Sequence, residues 1–207
     1  MGAEILVLVL GFALFLCAHA FASEMVRLWD EGKKAYYAGQ YKEAAARWEA
    51  GLKLAKEAGD KQGAGTFLTW ISAVYSDLGQ YAKSLEYCQQ ALTIHREIGD
   101  KSGEGRDLNN FGIVYSQLGR YDKGLEYFEK ALAIHREIGD SNQGPDLTNI
   151  GISYRNLGRF GEALEYLEQA LAIDRGSGDR RAEGADLGSI GMVYSDIGQY
   201  KNALEYC

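Results

Sequence analysis

The sequence predicts an all-α fold, an extended solenoid of antiparallel helical hairpins with a long concave surface. Two observations carry this. Tyr41, Tyr81, Tyr121, Phe160 and Tyr200 recur at intervals of 40, 40, 39 and 40 residues, and a glycine stands two places before each, at Gly39, Gly79, Gly119, Gly158 and Gly198. Between these markers the apolar residues follow helical spacing. A unit of such an array can bury its apolar face only against its neighbours, so the period argues against a closed globule.

From the start of the chain, Ile5 to Ala22 holds no charged residue except a protonatable His19. It ends in Ala18-His19-Ala20 and Ala20-Phe21-Ala22, small-residue patterns that resemble an export cleavage site. A signal peptide over 1–22 is expected, with Ser23 as the first mature residue and a secreted or periplasmic location. The opening Met1-Gly2-Ala3-Glu4 lacks the usual Lys or Arg. The alternative is a protein anchored in a membrane by this uncleaved segment, whose length approaches a bilayer span.

From Ser23 onward the chain reads as an array of about 4.5 repeats, at 25–60, 61–100, 101–140, 141–179 and an incomplete 180–207. In the third unit, Leu108, Phe111, Gly112, Tyr115 and Leu118 form one stripe of a first helix that ends before Gly119. Tyr121, Leu125, Phe128, Ala131, Leu132 and Ile138 form the stripe of a second helix, closed by Gly139. Small residues, Gly112, Gly151 and Gly191 in the first helices and Ala131 and Ala170 in the second, are expected where the two axes approach most closely. The first unit departs from the pattern, with Glu31 and Ala35 where the others have an apolar residue and Tyr, as suits an end cap that meets water on one side. The sequence stops at Cys207, inside the second helix of the fifth unit, and a fragment of a longer protein is expected.

Composition narrows the class. The 26 glycines fall at fixed places in each unit and punctuate helices. The formal charge of -7 is thinly spread, and Lys and Arg form no stripe to follow a phosphate backbone, so nucleic acid is not an expected partner. Cys88 and Cys207 occupy one repeat position three units apart, too far for a bridge, and Cys17 lies in the leader. Cys88 is expected in the core, in the slot held elsewhere by Trp48, Phe128 and Leu167.

The stretches LNNFGIVYSQLGRYDKGLEYFEKALAIHREIGD and LTNIGISYRNLGRFGEALEYLEQALAIDRGSGD recur in register and resemble tetratricopeptide repeats of the longer, about 40-residue type. The resemblance implies a right-handed superhelix of helical hairpins whose first helices line the concave side. The proline that follows the second helix in the shorter form is replaced here by an EIGD segment and a Gly-rich connection.

No catalytic constellation is expected. HExxH, Cys-x-x-Cys, a phosphate loop after a strand and a serine elbow do not occur in the sequence, so the chain reads as a non-enzyme without metal or cofactor. His95 and His135 are repeat-equivalent residues near the end of the second helix, with Asp174 in that place one unit later. They are expected to be solvated, where a cation suits the helix dipole. Gly103-Glu104-Gly105 is expected as a connector between helices.

What the array offers is a groove. With the first helices lining it, as the resemblance implies, the residues between the apolar positions point inward: Trp29, Lys33, Tyr36 and Tyr37 in the first unit, Thr69 and Asp77 in the second, Asn109, Asn110 and Gln117 in the third, and Asn149, Arg155 and Asn156 in the fourth. An amide both donates and accepts, so Asn110 and Asn149 resemble the asparagine ladder by which some longer-type arrays hold a peptide main chain; the other reading is two surface amides bonded to water. Arg155 has a fork for a partner's carboxylate or for one in a neighbouring repeat. Trp29, Tyr36 and Tyr37 are candidate aromatic anchors, or else they close the first hairpin.

The expected function is an exported protein–protein interaction scaffold binding a peptide segment in the groove. The alternative, which the resemblance also supplies, is the N-terminal sensor or regulatory repeats of a larger protein with a caspase-like protease or signalling module beyond Cys207.

Overall fold

The computed structural model describes residues 21–206. The leader expected over 1–22, apart from Phe21 and Ala22, lies outside the described residues, as do Cys17 and Cys207. The described residues are helices joined by tight turns, with no strand among them. They fall into two compact units, the first running to Gly99 and the second starting at Asp100.

In unit 1, α1 (21–37) and α2 (Tyr41–Ala58) form one hairpin, and α3 (Lys61–Asp77) and α4 (Tyr81–Ile98) form the next. Unit 2 holds α5 (Lys101–Gln117), α6 (Tyr121–Ile138), α7 (Gln143–Asn156), α8 (Phe160–Ser177), α9 (Arg180–Asp196) and the short α10 (Tyr200–Glu205).

A few residues set the helix ends. Gly119, at φ +72°, takes the left-handed conformation that turns its N–H back to the Ser116 carbonyl and lets Arg120 N–H reach Tyr115. Gly99 ends α4 in the same conformation, and the next residue, Asp100, caps α5 by accepting the Gly103 N–H at 2.9 Å. The Gly-Asp of the EIGD segment therefore stops one helix and starts another, which is why no proline is needed there. In the shorter fourth unit Asp140 accepts the Asn142 N–H at 2.9 Å, and Pro145 sits in the first turn of α7, where its missing N–H costs no helical bond.

Packing within each hairpin rests on size matching. A Cβ on Gly112 would lie 2.5 Å from the Phe128 ring, and one on Gly151 would lie 2.6 Å from Leu167 Cγ and 3.1 Å from the Ala163 carbonyl. Gly32 stands in the same relation to Trp48. In the second hairpin the matching positions carry Ser72 and Cys88, both buried, so a small residue on one helix answers a smaller one on the other. At Gly191 the nearest atoms to a Cβ, among the described residues, are the Ala203 carbonyl at 3.4 Å and Tyr206 Cβ at 3.5 Å; the residue matching Phe128 there, Cys207, lies outside them. Ala131 and Ala170 are fully buried, as close helix approach requires.

A second contact recurs in the later hairpins. Tyr75 stacks on Tyr87, Tyr115 on Tyr127, Tyr154 on Tyr166 and Tyr194 on Tyr206, with ring centroids 5.4 or 5.5 Å apart. The first hairpin has Ala35 and Arg47 in those places. It is held instead by tryptophan, Trp48 lying 5.9 Å from Trp29 and 5.4 Å from Trp70 of α3.

Candidate functional site

In unit 1 the expected groove residues are mostly engaged with one another. Trp29 meets Phe67 and Trp70 edge-on at 5.8 and 5.6 Å, and its carbonyl accepts Trp48 Nε1–H at 3.3 Å. Lys33 Nζ lies 6.0 Å from the Trp29 ring. Tyr36 packs on Trp48 and Trp70 and donates its hydroxyl to Asp77 at 2.7 Å. Burial, and then the Asp77 carboxylate, push its phenol well above the ordinary tyrosine range. Trp29 and Tyr36 thus close the first hairpin, while Tyr37 stands 66% exposed. Thr69 departs from the expectation of a groove residue: it is buried, and its short side chain turns back to donate to the Gly65 carbonyl at 3.1 Å.

In unit 2, Gln117 and Asn156 are exposed, and Asn109, Asn110, Asn149 and Arg155 are half-buried. Asn149 Nδ2 donates to Asn109 Oδ1 at 3.3 Å, and Asn109 Nδ2 donates in turn to Asp146 at 2.6 Å. The link from α7 therefore reaches Asn109, one residue before Asn149's repeat-equivalent Asn110. Arg155 Nε donates to Asp196 at 2.6 Å, the same step from one first helix to the next that Tyr36 makes to Asp77. A partner's carboxylate at Arg155 would compete with Asp196.

Beneath this face lies a set of buried acids that the sequence reading missed. Asp146 accepts from Asn109 and pairs with His135 Nδ1 at 2.6 Å, both members of the pair being buried. Desolvation outweighs these bonds and holds the Asp146 carboxyl above the usual carboxylate range. His95 and His135 correct the expectation of solvated helix-end residues, because both are completely buried. Their rings lie against Gly65 and Gly105, first-helix glycines with no side chain to exclude them. Gly103 to Gly105 are likewise not a connector. They lie in the first turns of α5, and the His135 ring fills the space that a side chain at Gly105 would need.

One repeat later the chemistry changes. Asp174 and Asp186 take the places of His135 and Asp146, and both are buried. Thr148 Oγ1 donates to Asp186 Oδ1 at 2.7 Å, and the facing Asp174 carboxyl stands within hydrogen-bonding reach of Asp186, so that one proton can bridge the two acids. Burial above all, with the facing Asp174, pushes the Asp186 carboxyl up to about 6. A signal for these residues was present: an Asp-Leu pair recurs at Asp107, Asp146 and Asp186, as His recurs at His95 and His135. Among the described residues no group of three or more His, Cys, Asp or Glu could hold a metal ion, and no helix is long and apolar enough to cross a membrane.

The profile of the tetratricopeptide repeat family matches residues 63–137 and 146–206. The chain belongs to this family. Among solved structures this tetratricopeptide repeat chain is similar to a Rap protein complexed with competence and sporulation factor, with a TM-score of 0.80 and 19% identity over 88% of this chain and 52% of that one. It is similar to the Rap conjugation gene regulator of the plasmid pLS20 in complex with the Phr* peptide, at 0.78 and 18% over 91% and 52%. It is also similar to a signal transduction ATPase with numerous domains and a tetratricopeptide repeat sensor, from Pyrococcus horikoshii, at 0.70 and 21% over 86% and 28%. At these identities the likeness shows the fold, that of tetratricopeptide helical-repeat proteins. The chain spans about half the length of the two Rap structures. No curated protein sequence matches it.

Proposed function

We propose that this chain is a non-enzymatic, exported interaction module that holds an extended or helical segment of another protein against its first helices. The observation that carries the reading is the composition of that face in unit 2, where Asn110, Gln117, Asn149, Arg155 and Asn156 stay half-buried or exposed and do not enter the core. Amides can exchange hydrogen bonds with both the N–H and the C=O of a peptide laid along them. In unit 1 the exposed ring of Tyr37 offers an apolar contact. Family membership supports a protein or peptide as the partner, as do the two Rap neighbours, solved with competence and sporulation factor and with the Phr* peptide. Export rests on the pattern of residues 1–22, and a membrane contact enters only if that segment stays attached.

The test is capture of a partner by the full chain, followed by alanine at Asn110, Asn149 and Arg155 together. Capture should fall by about tenfold or more if three bonds of this kind are lost. Undiminished capture would show the groove residues to be wrong. Mass spectrometry of the mature N-terminus should find Ser23, and an intact Met1 would exclude cleavage and favour the anchored alternative.

The Pyrococcus horikoshii likeness favours a second reading. That protein carries its tetratricopeptide repeats as a sensor, and this chain covers 28% of it. Here the repeats would regulate a caspase-like protease or signalling module in a larger protein. Reading the gene past the codon for Cys207 separates the two, a catalytic domain favouring the sensor and further repeats favouring the scaffold.

A further inference from the structure

The hydrogen bonds of Asn109 and Asn149 have a direction, and the buried pair beneath them sets it. Asp146 Oδ2 lies 2.6 Å from His135 Nδ1, and the other oxygen, Oδ1, lies 2.6 Å from Asn109 Nδ2. His135 Nε2 is buried with no partner among the described residues, so the one hydrogen of the neutral ring belongs on Nδ1, where it donates to Asp146. Asp146 Oδ1 is then an acceptor and nothing else. Asn109 must turn Nδ2 toward that oxygen, which leaves its own Oδ1 to meet α7.

The constraint passes on to Asn149. Asn109 Oδ1 can only accept, so Asn149 has to present Nδ2 to it, as it does at 3.3 Å. One end of the Asn149 amide is thereby engaged, and no group among the described residues donates to the other end, Oδ1. This junction is particular to α5 and α7. One repeat later Thr148 and Ser189 stand in the places of Asn109 and Asn149, and Ser189 turns its hydroxyl back to the Ala185 carbonyl at 2.9 Å. One turn beyond the two asparagines, Ile113 and Ile152 share their helix faces, and both are half-buried. An acceptor with its orientation fixed from below therefore stands beside two branched aliphatic side chains.

We propose that Asn149 Oδ1 is the acceptor of a peptide subsite, and that His135, Asp146 and Asn109 are positioning residues that hold it toward the partner. The subsite takes a segment presenting a main-chain N–H beside an aliphatic side chain, the N–H to Asn149 and the side chain to Ile113 and Ile152. This rests on the peptide-holding reading above and adds the sense of the bond: the protein accepts here and the partner donates. An amide left unheld offers either end, and binding must then order it; one held by a buried chain is already turned.

The positioning is tested without a ligand, by NMR of the full chain carrying isotope-labelled asparagine. Exchange of the Asn149 Nδ2 hydrogens with water should be slower than that of the exposed Asn156 by about threefold or more, and Asn109→Leu should abolish the difference, with Asn109→Ala deciding if that variant does not fold. His135→Leu should also lower the protection, and His135→Asn, whose Nδ2 can stand where Nδ1 stood, should restore it. Equal exchange at Asn149 and Asn156, or protection that survives these substitutions, would overturn the proposal. The partner's donor is tested with a peptide of about a dozen residues, selected on the full chain from a random display library and remade with each main-chain N–H in turn replaced by an ester oxygen. One ester should weaken binding by about tenfold, a penalty that vanishes in Asn149→Leu and shrinks in Asn109→Leu. A bound peptide with no ester-sensitive position tied to Asn149 would overturn the acceptor subsite and leave the peptide-holding face standing. If no peptide is selected, the peptide-holding reading falls and the subsite falls with it.

Discussion

The two units hold their hairpins together by different means. In unit 1 Trp29, Tyr36, Trp48, Phe67 and Trp70 form one cluster of tilted and edge-on rings, and the polar bonds between its hairpins, from Tyr36 to Asp77 and from Tyr75 to Glu49, are made by tyrosine hydroxyls at the margin of the rings. In unit 2 successive hairpins are joined by buried polar bonds, from Asp146 to His135 and Asn109 and from Asp186 to Thr148. Ring packing is broad in its geometry and tolerates a first hairpin that lacks the tyrosine pair of the others. A buried acid is intolerant: it is stable only in the register that brings its donor, so it specifies which turn meets which.

That contrast can be broken by mutation, beginning with the largest effect. Trp48→Ala should destabilise unit 1 by about 4 kcal/mol, since a large fully buried ring leaves a cavity that the backbone cannot fill. Hydrogen exchange read by mass spectrometry should accelerate in α1 to α3 far more than in α7 and α8; equal acceleration would mean the units do not differ as described.

His135→Ala should cost unit 2 about 3 kcal/mol, because it leaves Asp146 buried without its main partner. His135→Ala with Asp146→Leu in one chain should recover part of the loss, and full additivity in urea unfolding would count against the pairing. Gly151→Leu comes next, at about 2 kcal/mol, since Leu167 can yield but the Ala163 carbonyl cannot. An unchanged thermal midpoint would show that the helices do not approach there as closely as described.

The Asp174–Asp186 pair sharpens the comparison through pH. Asp186 is raised in the folded chain, to about 6, so folding favours its protonated form. Its contribution is fully present below the ordinary aspartate range and is lost as the pH climbs through the folded value. Amides of α8 and α9 should therefore be better protected at about pH 5 than at about pH 7, once intrinsic exchange is corrected, and Asp186→Asn should remove that difference. The smallest effect is expected at the surface. Arg155→Ala breaks a partly exposed ion pair with Asp196 and should cost less than about 1 kcal/mol in thermal unfolding, whatever it does to partner binding.

Much of the local structure was legible residue by residue. Gly119 and Gly139 marked helix ends because few other residues take a positive φ, and Gly112 and Gly151 marked close approach because nothing larger fits there. Cys88 was legible as core from the residues sharing its slot. The candidate site was legible only as a set of positions. That Tyr36 donates to Asp77 and that Arg155 is held by Asp196 depend on partners about 40 residues away, which no local pattern encodes.

The histidines show where the boundary lies. Period, helix type and helix ends were determined by the sequence alone, because apolar spacing and glycine conformation act within a single turn or hairpin. Whether His135 meets water or Asp146 was decided only when one hairpin was laid on the next. A helix end that looks solvated in isolation becomes interior once the following helix starts above it, and polarity cannot report burial that another segment creates.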